Sequence, residues 1–560
     1  MIKHGDKKMK EKHKKIVVIG GVAGGMSFAT RYRRLNQDDD IVIFEKGPYV
    51  SFANCGLPYH ISGEIRTRSG LLVVREQLLK DRFRLDIRSN AEVVHINPEE
   101  KVVTYIFENQ TLYENYDELI ISTGAKPIAL HIEGIANIPH FSLRNIPDLD
   151  RIMSYIKEHT PKHATVIGAG YIGLEVAENL IKKGILVTLI EKSIEVLPVV
   201  DQEMGMFIHH ELEKQGVEVY TQDEILRFGQ HEAFLKSGSS FKTDLVISAV
   251  GVIPDTKIAK DAGIQTGQRD GIIIDQYFKT SIDHIYAVGD AVIVKQQITL
   301  EDALIPLASP ANRQGRQLAD ILSGLNVTHK GTLGTSIVKV FDLSLAATGL
   351  SEKQLVGKSY KVIHLTANDH ASYYPGATPI HLKVLFNPIT QMILGAQAVG
   401  EKGVDKRIDI IATAIKGGIK VTDLQELELS YAPPYSSAKD IVNLAGYVAS
   451  NVILGLTDMV QWYEVKKLIE KKEDVLFLDV RSSFERDAYG YIKSSINIDV
   501  DQIPYTYRTL PKEKKIIIYC DLGTKSYHAE RFLKSKGYNV CILNGAFSMI
   551  SNMLKEHIYV

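Results

Sequence analysis

The sequence predicts an α/β protein of several domains, and three observations carry that prediction. Two stretches, from Ile16 and from His163, each read strand, glycine-rich turn, helix, strand. A third region, 331–450, changes to short alternating runs with one clear helix, which is the texture of an α+β domain. A fourth, from about residue 461, returns to short, wholly apolar runs separated by helical segments. With 560 residues the chain exceeds what one hydrophobic core holds, so several domains are expected on length alone.

The first unit runs KIVVIG, GVAGG, MSFATRYRRL and DIVIFEK. Its glycine turn, Gly20, Gly21, Ala23, Gly24 and Gly25, lets backbone N–H groups approach a diphosphate at a helix N-terminus. Val22 stands where the strict G-x-G-x-x-G pattern has its middle glycine. Glu45, at the end of the next strand, is placed to bond a ribose hydroxyl. Close packing of helix on strand would also account for such a turn. The second unit satisfies the pattern in full with Gly168, Gly170 and Gly173. Glu191 ends its second strand; a carboxylate there favours the free 2′-hydroxyl of NADH over the phosphate of NADPH, although Lys192 follows directly. Both units are therefore read as Rossmann-like dinucleotide-binding domains.

Composition excludes more than it assigns. The chain is 45% hydrophobic and 24% charged with a formal net charge of -1, so nothing draws it to nucleic acid or to an anionic membrane. No apolar run approaches the roughly 18 residues of a membrane span. Residues 1–14 form a basic tail without the apolar stretch of a secretory signal, and translation could equally start at Met9. Three cysteines cannot build a disulfide framework, which points to a reducing, cytoplasmic setting. No metal site is expected.

Each cysteine then needs its own explanation. Cys55 lies in SFANCGLPYHISGEI shortly after Glu45. A lone cysteine on an apolar segment is ordinarily an inert core thiol; behind a nucleotide-binding turn it is a candidate redox centre. Cys520 lies in IIIYCDLGTKS, between a strand and a helix, where backbone N–H groups and the helix N-terminus can stabilise a thiolate or persulfide. Cys541, in the apolar run NVCILNG, reads as core.

The motif TSIDHIYAVGDA with its Gly289-Asp290, together with STGA around Thr123 and Gly124, resembles the flavin-contacting motifs of the two-dinucleotide flavoprotein disulfide reductases. This resemblance spans about residues 15 to 450. It implies FAD on Gly20, Gly21, Ala23, Gly24, Gly25, Glu45, Thr123, Gly124, Gly289 and Asp290. It also implies NADH, or NADPH, on Gly168, Gly170, Gly173 and Glu191. Most such enzymes carry two closely spaced cysteines; here only Cys55 is present, so an internal dithiol is ruled out. A lone thiol cycles instead through a sulfenic acid or a mixed disulfide.

The single-cysteine NADH peroxidases and oxidases carry a histidine in the first glycine turn, where this chain has Ala23. SFANCGLP, HASYYPG (370–376) and YAPPYSSAKD (431–440) resemble coenzyme A-disulfide reductases instead. That resemblance implies a homodimer in which Tyr373 and Tyr431 of one subunit serve the cysteine of the other. It also implies CoA, as substrate or tightly bound thiol, with contacts from Arg31, Arg34, Ser51, Asn54, Arg75 and Arg82. Phe83 stands where the family has a lysine.

The C-terminal stretch VLFLDVRSSFERDAYGYIKSSINI resembles rhodanese-like domains, and Cys520 falls in their active loop. Tyr491 replaces the usual histidine, and Lys525 an arginine; a lysine keeps the charge but loses the bidentate fork that grips an oxyanion.

The expected organisation is a basic tail at 1–14, an FAD-binding domain at 15–125 and 248–330, and an NAD(P)H-binding domain at 126–247. A dimerisation domain at 331–450, a linker read from the segment Ala449–Asp458 and set at 451–460, and a rhodanese-like domain at 461–560 complete it. The expected activity is NAD(P)H-dependent reduction of CoA disulfide, CoA persulfide or polysulfide at Cys55, with Cys520 carrying sulfane sulfur. Two other readings stay open: an NADH oxidase or peroxidase working through a Cys55 sulfenate, and a non-catalytic redox sensor or sulfur carrier.

Overall fold

The computed structural model describes residues 13–559, so residues 1–12 of the basic tail, with Met9, lie outside the described residues. The chain separates into two compact units: residues 1–190 with 224–334, and residues 191–223 with 335–560.

The first unit is built on a parallel sheet in the order Ile285–Ala287, Glu118–Ile121, Lys15–Ile19, Asp40–Glu45, Asp86–Ser89. Alternate residues of Lys15–Ile19 enter two different cores. Ile16 and Val18 pack with Phe28, Ile41, Ile43 and Leu318, whereas Val17 and Ile19 pack with Val42, Phe44, Val103 and Leu119. Burial on both faces is why this strand reads as an unbroken apolar run rather than an alternating one. Helix Ala23–Leu35 lies so close to helix Ala308–Leu322 that a Cβ at Gly315 would come within 2.2 Å of the Gly24 carbonyl oxygen.

A second parallel sheet sets Leu186–Glu191, His163–Ile167, Leu245–Ser248 and His140–Ser142 side by side. The chain leaves the first sheet along Ala125–Pro127 and returns along Val252–Pro254, and these two segments pair antiparallel. Ile285–Ala287 then rejoins the first sheet beside Glu118–Ile121, so the second nucleotide fold is an insertion into the first.

The second unit holds an antiparallel sheet in the order Ser336–Val340, Leu343–Gly349, Ile393–Gly400, Pro379–Phe386, Lys361–Asn368. It also holds a parallel sheet in the order Met459–Val460, Val540–Leu543, Lys515–Tyr519, Val475–Asp479, Ile496–Asn497. Helix Ile441–Ile453, with its buried face of Ile441, Val442, Ala445 and Ala449, runs into the segment expected to link the two domains, and a short turn follows before Met459.

These two sheets are joined by side chains. Lys361–Asn368 is an edge strand, and the buried amide of Asn544 takes the place of a further peptide beside it. Its Oδ1 accepts from the His364 N–H at 3.0 Å, and its Nδ2 donates to the Val362 carbonyl at 3.0 Å and to Gln461 Oε1 at 2.9 Å. Nearby, Lys383 is wholly buried and its ammonium meets Asp201 at 2.8 Å, Glu203 at 2.5 Å and Glu352 at 2.5 Å. Burial opposes the charge on Lys383, but the three carboxylates outweigh it and hold its pKa above that of an ordinary lysine. Trp462, the sole tryptophan, donates its Nε1–H to Glu203 at 3.3 Å. Among the described residues no helix is long and apolar enough to cross a membrane.

Candidate active site

Because the first sheet is parallel, the carboxyl ends of its strands share one edge. Ile19 lies beside Phe44 and Ile121, and Ile121 beside Ala287. That register delivers Gly20–Gly25, Glu45, Ser122–Gly124 and Gly289–Asp290 to the same rim, at the point where the chain passes from one side of the central strand to the other. Gly20 adopts φ +106, and a Cβ there would fall 2.1 Å from the Ser122 oxygen; a Cβ at Gly25 would fall 2.0 Å from the Gly20 oxygen. Only glycine permits this turn. No side chain caps the helix that follows, and its first-turn N–H groups present positive potential along the rim. Such a rim fits a dinucleotide diphosphate. Glu45 accepts the Gly21 N–H at 2.9 Å and the Gly47 N–H at 2.8 Å, so its carboxylate shapes the turn it was expected to serve only as a ribose ligand.

The second rim is made the same way. Gly168 has φ +98, and its Cβ would lie 2.5 Å from the Ala249 oxygen; that of Gly173 would lie 1.9 Å from the Gly168 oxygen. Gly170 is different, for a Cβ there would meet nothing within 4 Å. Two glycines close the turn, and the middle one keeps open the space where a diphosphate would approach helix Tyr171–Lys182. Glu191 ends its strand and accepts the Ser193 N–H at 2.7 Å.

Cys55 is carried on a short turn, Asn54–Gly56, leading into helix Leu57–Ser62. Ser51, with φ 50, donates its N–H to the Gly21 carbonyl at 2.9 Å, which ties the cysteine loop directly to the glycine turn. Asn54 donates its amide to the Arg144 carbonyl at 3.1 Å, and the Arg144 guanidinium pairs with Asp290 at 3.3 Å. Cys55 is exposed. Even so, the protein packed around it raises its thiol pKa, Glu175 and Asp290 raise it further, and Arg144 opposes them.

Glu175, from the helix of the second nucleotide fold, accepts the Tyr59 hydroxyl at 3.1 Å; burial pushes its carboxyl up to about 7. Arg144 and Glu175 were not legible as site residues, since only tertiary structure brings them to Cys55, and Tyr59, close by in sequence, shows its part only through its bond to Glu175. Replacing Glu175 with glutamine removes a negative charge that opposes the thiolate. The pH profile of Cys55 alkylation by iodoacetamide should therefore move to lower pH; a profile that stayed put or rose would refute the coupling.

The cations expected near CoA are deployed unevenly. Arg31 is held by Asp320 at 2.6 Å, Arg34 donates to the Thr30 carbonyl and lies over the Phe83 ring, and Arg75 precedes helix Glu76–Phe83, which carries the exposed Arg82.

In the second unit Tyr373 and Tyr431 come from segments far apart in sequence, yet their hydroxyls are 2.9 Å apart and both side chains are exposed. What holds their loops is Arg407. This buried guanidinium donates to the Asp369 carbonyl at 2.6 Å and to Asp440 at 2.8 Å, and Ser436 donates to Asp440 at 2.6 Å.

Cys520 directly follows strand Lys515–Tyr519. Its sulfur accepts the Gly523 N–H at 3.0 Å and the Ser526 N–H at 3.4 Å, a loop made possible by Gly523 at φ +95. Cys541 is core, its thiol pushed up to about 11 by burial. Arg481 and Asp479 form a wholly buried bidentate pair. Tyr491 stacks on Tyr559, under the guanidinium of Arg486.

Two nucleotide rims, one inserted in the other, with a lone cysteine tied to the first, define a nicotinamide-linked disulfide oxidoreductase. The chain belongs to the pyridine nucleotide-disulphide oxidoreductase family, whose model matches residues 14–315, followed by that family's dimerisation domain at 335–441 and a rhodanese-like domain at 461–552. It is 38% identical over 442 residues to the coenzyme A disulfide reductase of Staphylococcus haemolyticus, covering 78% of this chain and 100% of that protein. The structure of reduced Bacillus anthracis CoADR-RHD superposes with a TM-score of 0.96 at 49% identity, covering 98% of this chain and 100% of that one. A NAD-dependent persulfide reductase from A. fulgidus superposes with a TM-score of 0.90 at 34% identity, covering 96% and 99%. The resemblance to CoA-disulfide reductases fused to a rhodanese domain, and the α/β fold class, are thus borne out.

Proposed function

We propose that this enzyme uses NAD(P)H to reduce a CoA-linked disulfide or persulfide at Cys55, and that Cys520 carries sulfane sulfur. The observation that carries the reading is the bond from Ser51 to Gly21, which fixes the only cysteine of the first unit at the rim that fits a flavin dinucleotide. FAD held by Gly20–Gly25, Ser122–Gly124 and Asp290 would supply a two-electron path from a nicotinamide at Gly168–Gly173 to Cys55.

The chain's own work is thiol exchange. The Cys55 thiolate attacks one sulfur of CoA disulfide, the S–S bond breaks, and CoA thiolate leaves with the electron pair. Two electrons and two protons then return Cys55 as thiol and release CoASH. With CoA persulfide the same attack on the CoA-bound sulfur expels hydrosulfide. The raised pKa of Cys55 disfavours a thiolate supported by the first unit's charges alone. Tyr373 and Tyr431, bonded to each other and exposed, suit a homodimer in which phenolic O–H groups donate to the Cys55 thiolate before attack and to the leaving thiolate after it. The polysulfide substrate and the preference for NADH, suggested by Glu191, belong to the same proposal. Peptide mass spectrometry of the protein after incubation with CoA disulfide should show a CoA adduct on Cys55. An adduct confined to Cys520 or Cys541 would overturn the assignment.

A further inference from the structure

We propose that Glu485 sets the choice of sulfur donor at Cys520, by holding Lys525 so that the loop takes sulfur from a thiol persulfide in preference to thiosulfate. The inference rests on the reading of Cys520 as a sulfane-sulfur carrier. The Lys525 ammonium meets both oxygens of Glu485, at 2.9 and 2.7 Å, so two of its three protons are committed to one carboxylate. That carboxylate is itself fixed. It accepts the N–H and hydroxyl of Ser482 at 2.8 and 2.9 Å, while Ser482 accepts the Glu485 N–H at 3.2 Å, a capping box that starts helix Ser483–Tyr489. The Lys525 contact holds the Glu485 carboxyl down at about 2, so the pair stays ionised at any physiological pH.

Arg481, whose charge Asp521 also feels, is bidentate with Asp479, while its Nη1 is buried without a hydrogen-bond partner. Asp521 lies beside Cys520 in sequence, and Asp499 faces Lys525. With each cation already paired to a carboxylate and acidic groups in excess, a dianion finds the backbone N–H groups of the loop but little net positive charge. The persulfide group brings at most one charge to the loop, on the sulfur that is transferred, and any other charges of the donor lie away from the reacting atoms. In each case the Cys520 thiolate attacks the outer sulfur, the donor S–S bond breaks, and sulfite or the donor thiolate leaves with the electron pair, giving a Cys520 persulfide. Cyanide then removes that sulfur as thiocyanate and regenerates the thiolate.

The test compares thiosulfate with glutathione persulfide as donors to cyanide, in the full-length protein and its Glu485→Gln variant. Glutamine keeps the capping box and removes the charge. The ratio of kcat/KM for thiosulfate to that for persulfide should rise about tenfold, and added salt should shrink the gain. Lys525→Arg serves as a second variant, because a guanidinium can hold Glu485 and still present N–H groups to an oxyanion, so the ratio should rise there too. A ratio unchanged in both variants, or a wild-type protein that already prefers thiosulfate, overturns the proposal. If neither donor leaves a persulfide on the Cys520 peptide of the wild-type protein, by mass spectrometry, the carrier reading itself falls and this inference falls with it.

Discussion

Substituting serine for Cys55 should abolish turnover of CoA disulfide and CoA persulfide while leaving reduction of the bound flavin by NADH intact. The nucleotide rims owe nothing to the thiol: Gly20, Gly25, Gly168 and Gly173 are fixed by contacts with Ser122, Gly20, Ala249 and Gly168. A serine hydroxyl keeps the local shape but cannot form a disulfide, and loss of a covalent nucleophile costs on the order of 10³-fold or more in rate. Stopped-flow bleaching of the flavin by NADH, beside a steady-state assay with each sulfur substrate, separates the two half-reactions. Retained turnover would sink the proposed mechanism, and loss of flavin reduction would place Cys55 in cofactor binding instead.

The second large effect is expected at Arg407. Arg407→Met leaves Asp440 buried with only Ser436 and the Val442 N–H as partners, and breaking a buried pair in this way costs roughly 3–5 kcal/mol. Burial works against the Asp440 charge, but Ser436 and Arg407 outweigh it and hold its carboxyl below the ordinary aspartate value. A depressed carboxylate contributes stability above its unfolded pKa and loses it as pH falls through the folded one. The wild-type protein should therefore shed this contribution only in acid. The variant should start from a lower midpoint in thermal melts at neutral pH. Asp440→Asn in the Arg407→Met background should recover part of the loss, because the stranded charge is gone. Activity with CoA disulfide should fall as well, since the guanidinium also holds the Asp369 carbonyl in the segment leading to Tyr373. A melt indistinguishable from wild type would show that the pair carries no weight.

How much of this was legible depended on distance along the chain. The glycine turns, Cys55 and Cys520 announce themselves because a turn and its helix lie within a few residues, and spacing alone defines the chemistry. The partners that tune those centres do not. Glu175 reaches Tyr59 across 116 positions, Lys525 reaches Glu485 across 40, and Arg407 reaches Asp440 across 33. Each is an unremarkable charged residue on a helix or loop until the sheets assemble. The helix entering the expected linker was hidden for a local reason: Ala449 and its neighbours are weakly patterned, and the apolar stripe of Ile441–Ile453 is recognised only once its packing is known. Lys383 is the extreme case. Nothing in HLKVLFN hints that the lysine is the most enclosed cation of its sheet.

The Asn544 amide and the Trp462 indole make the C-terminal domain detachable in sequence but not in substance. A chain ended near Leu454 would strip the His364 N–H and the Val362 carbonyl of their partners and leave an edge strand bare. The severed domain would in turn expose the buried Asn544 and leave the half-buried Trp462 without Glu203. Fusion has thus left a seam, held by one asparagine and one tryptophan, that neither the dimerisation domain nor the rhodanese-like domain would complete by itself.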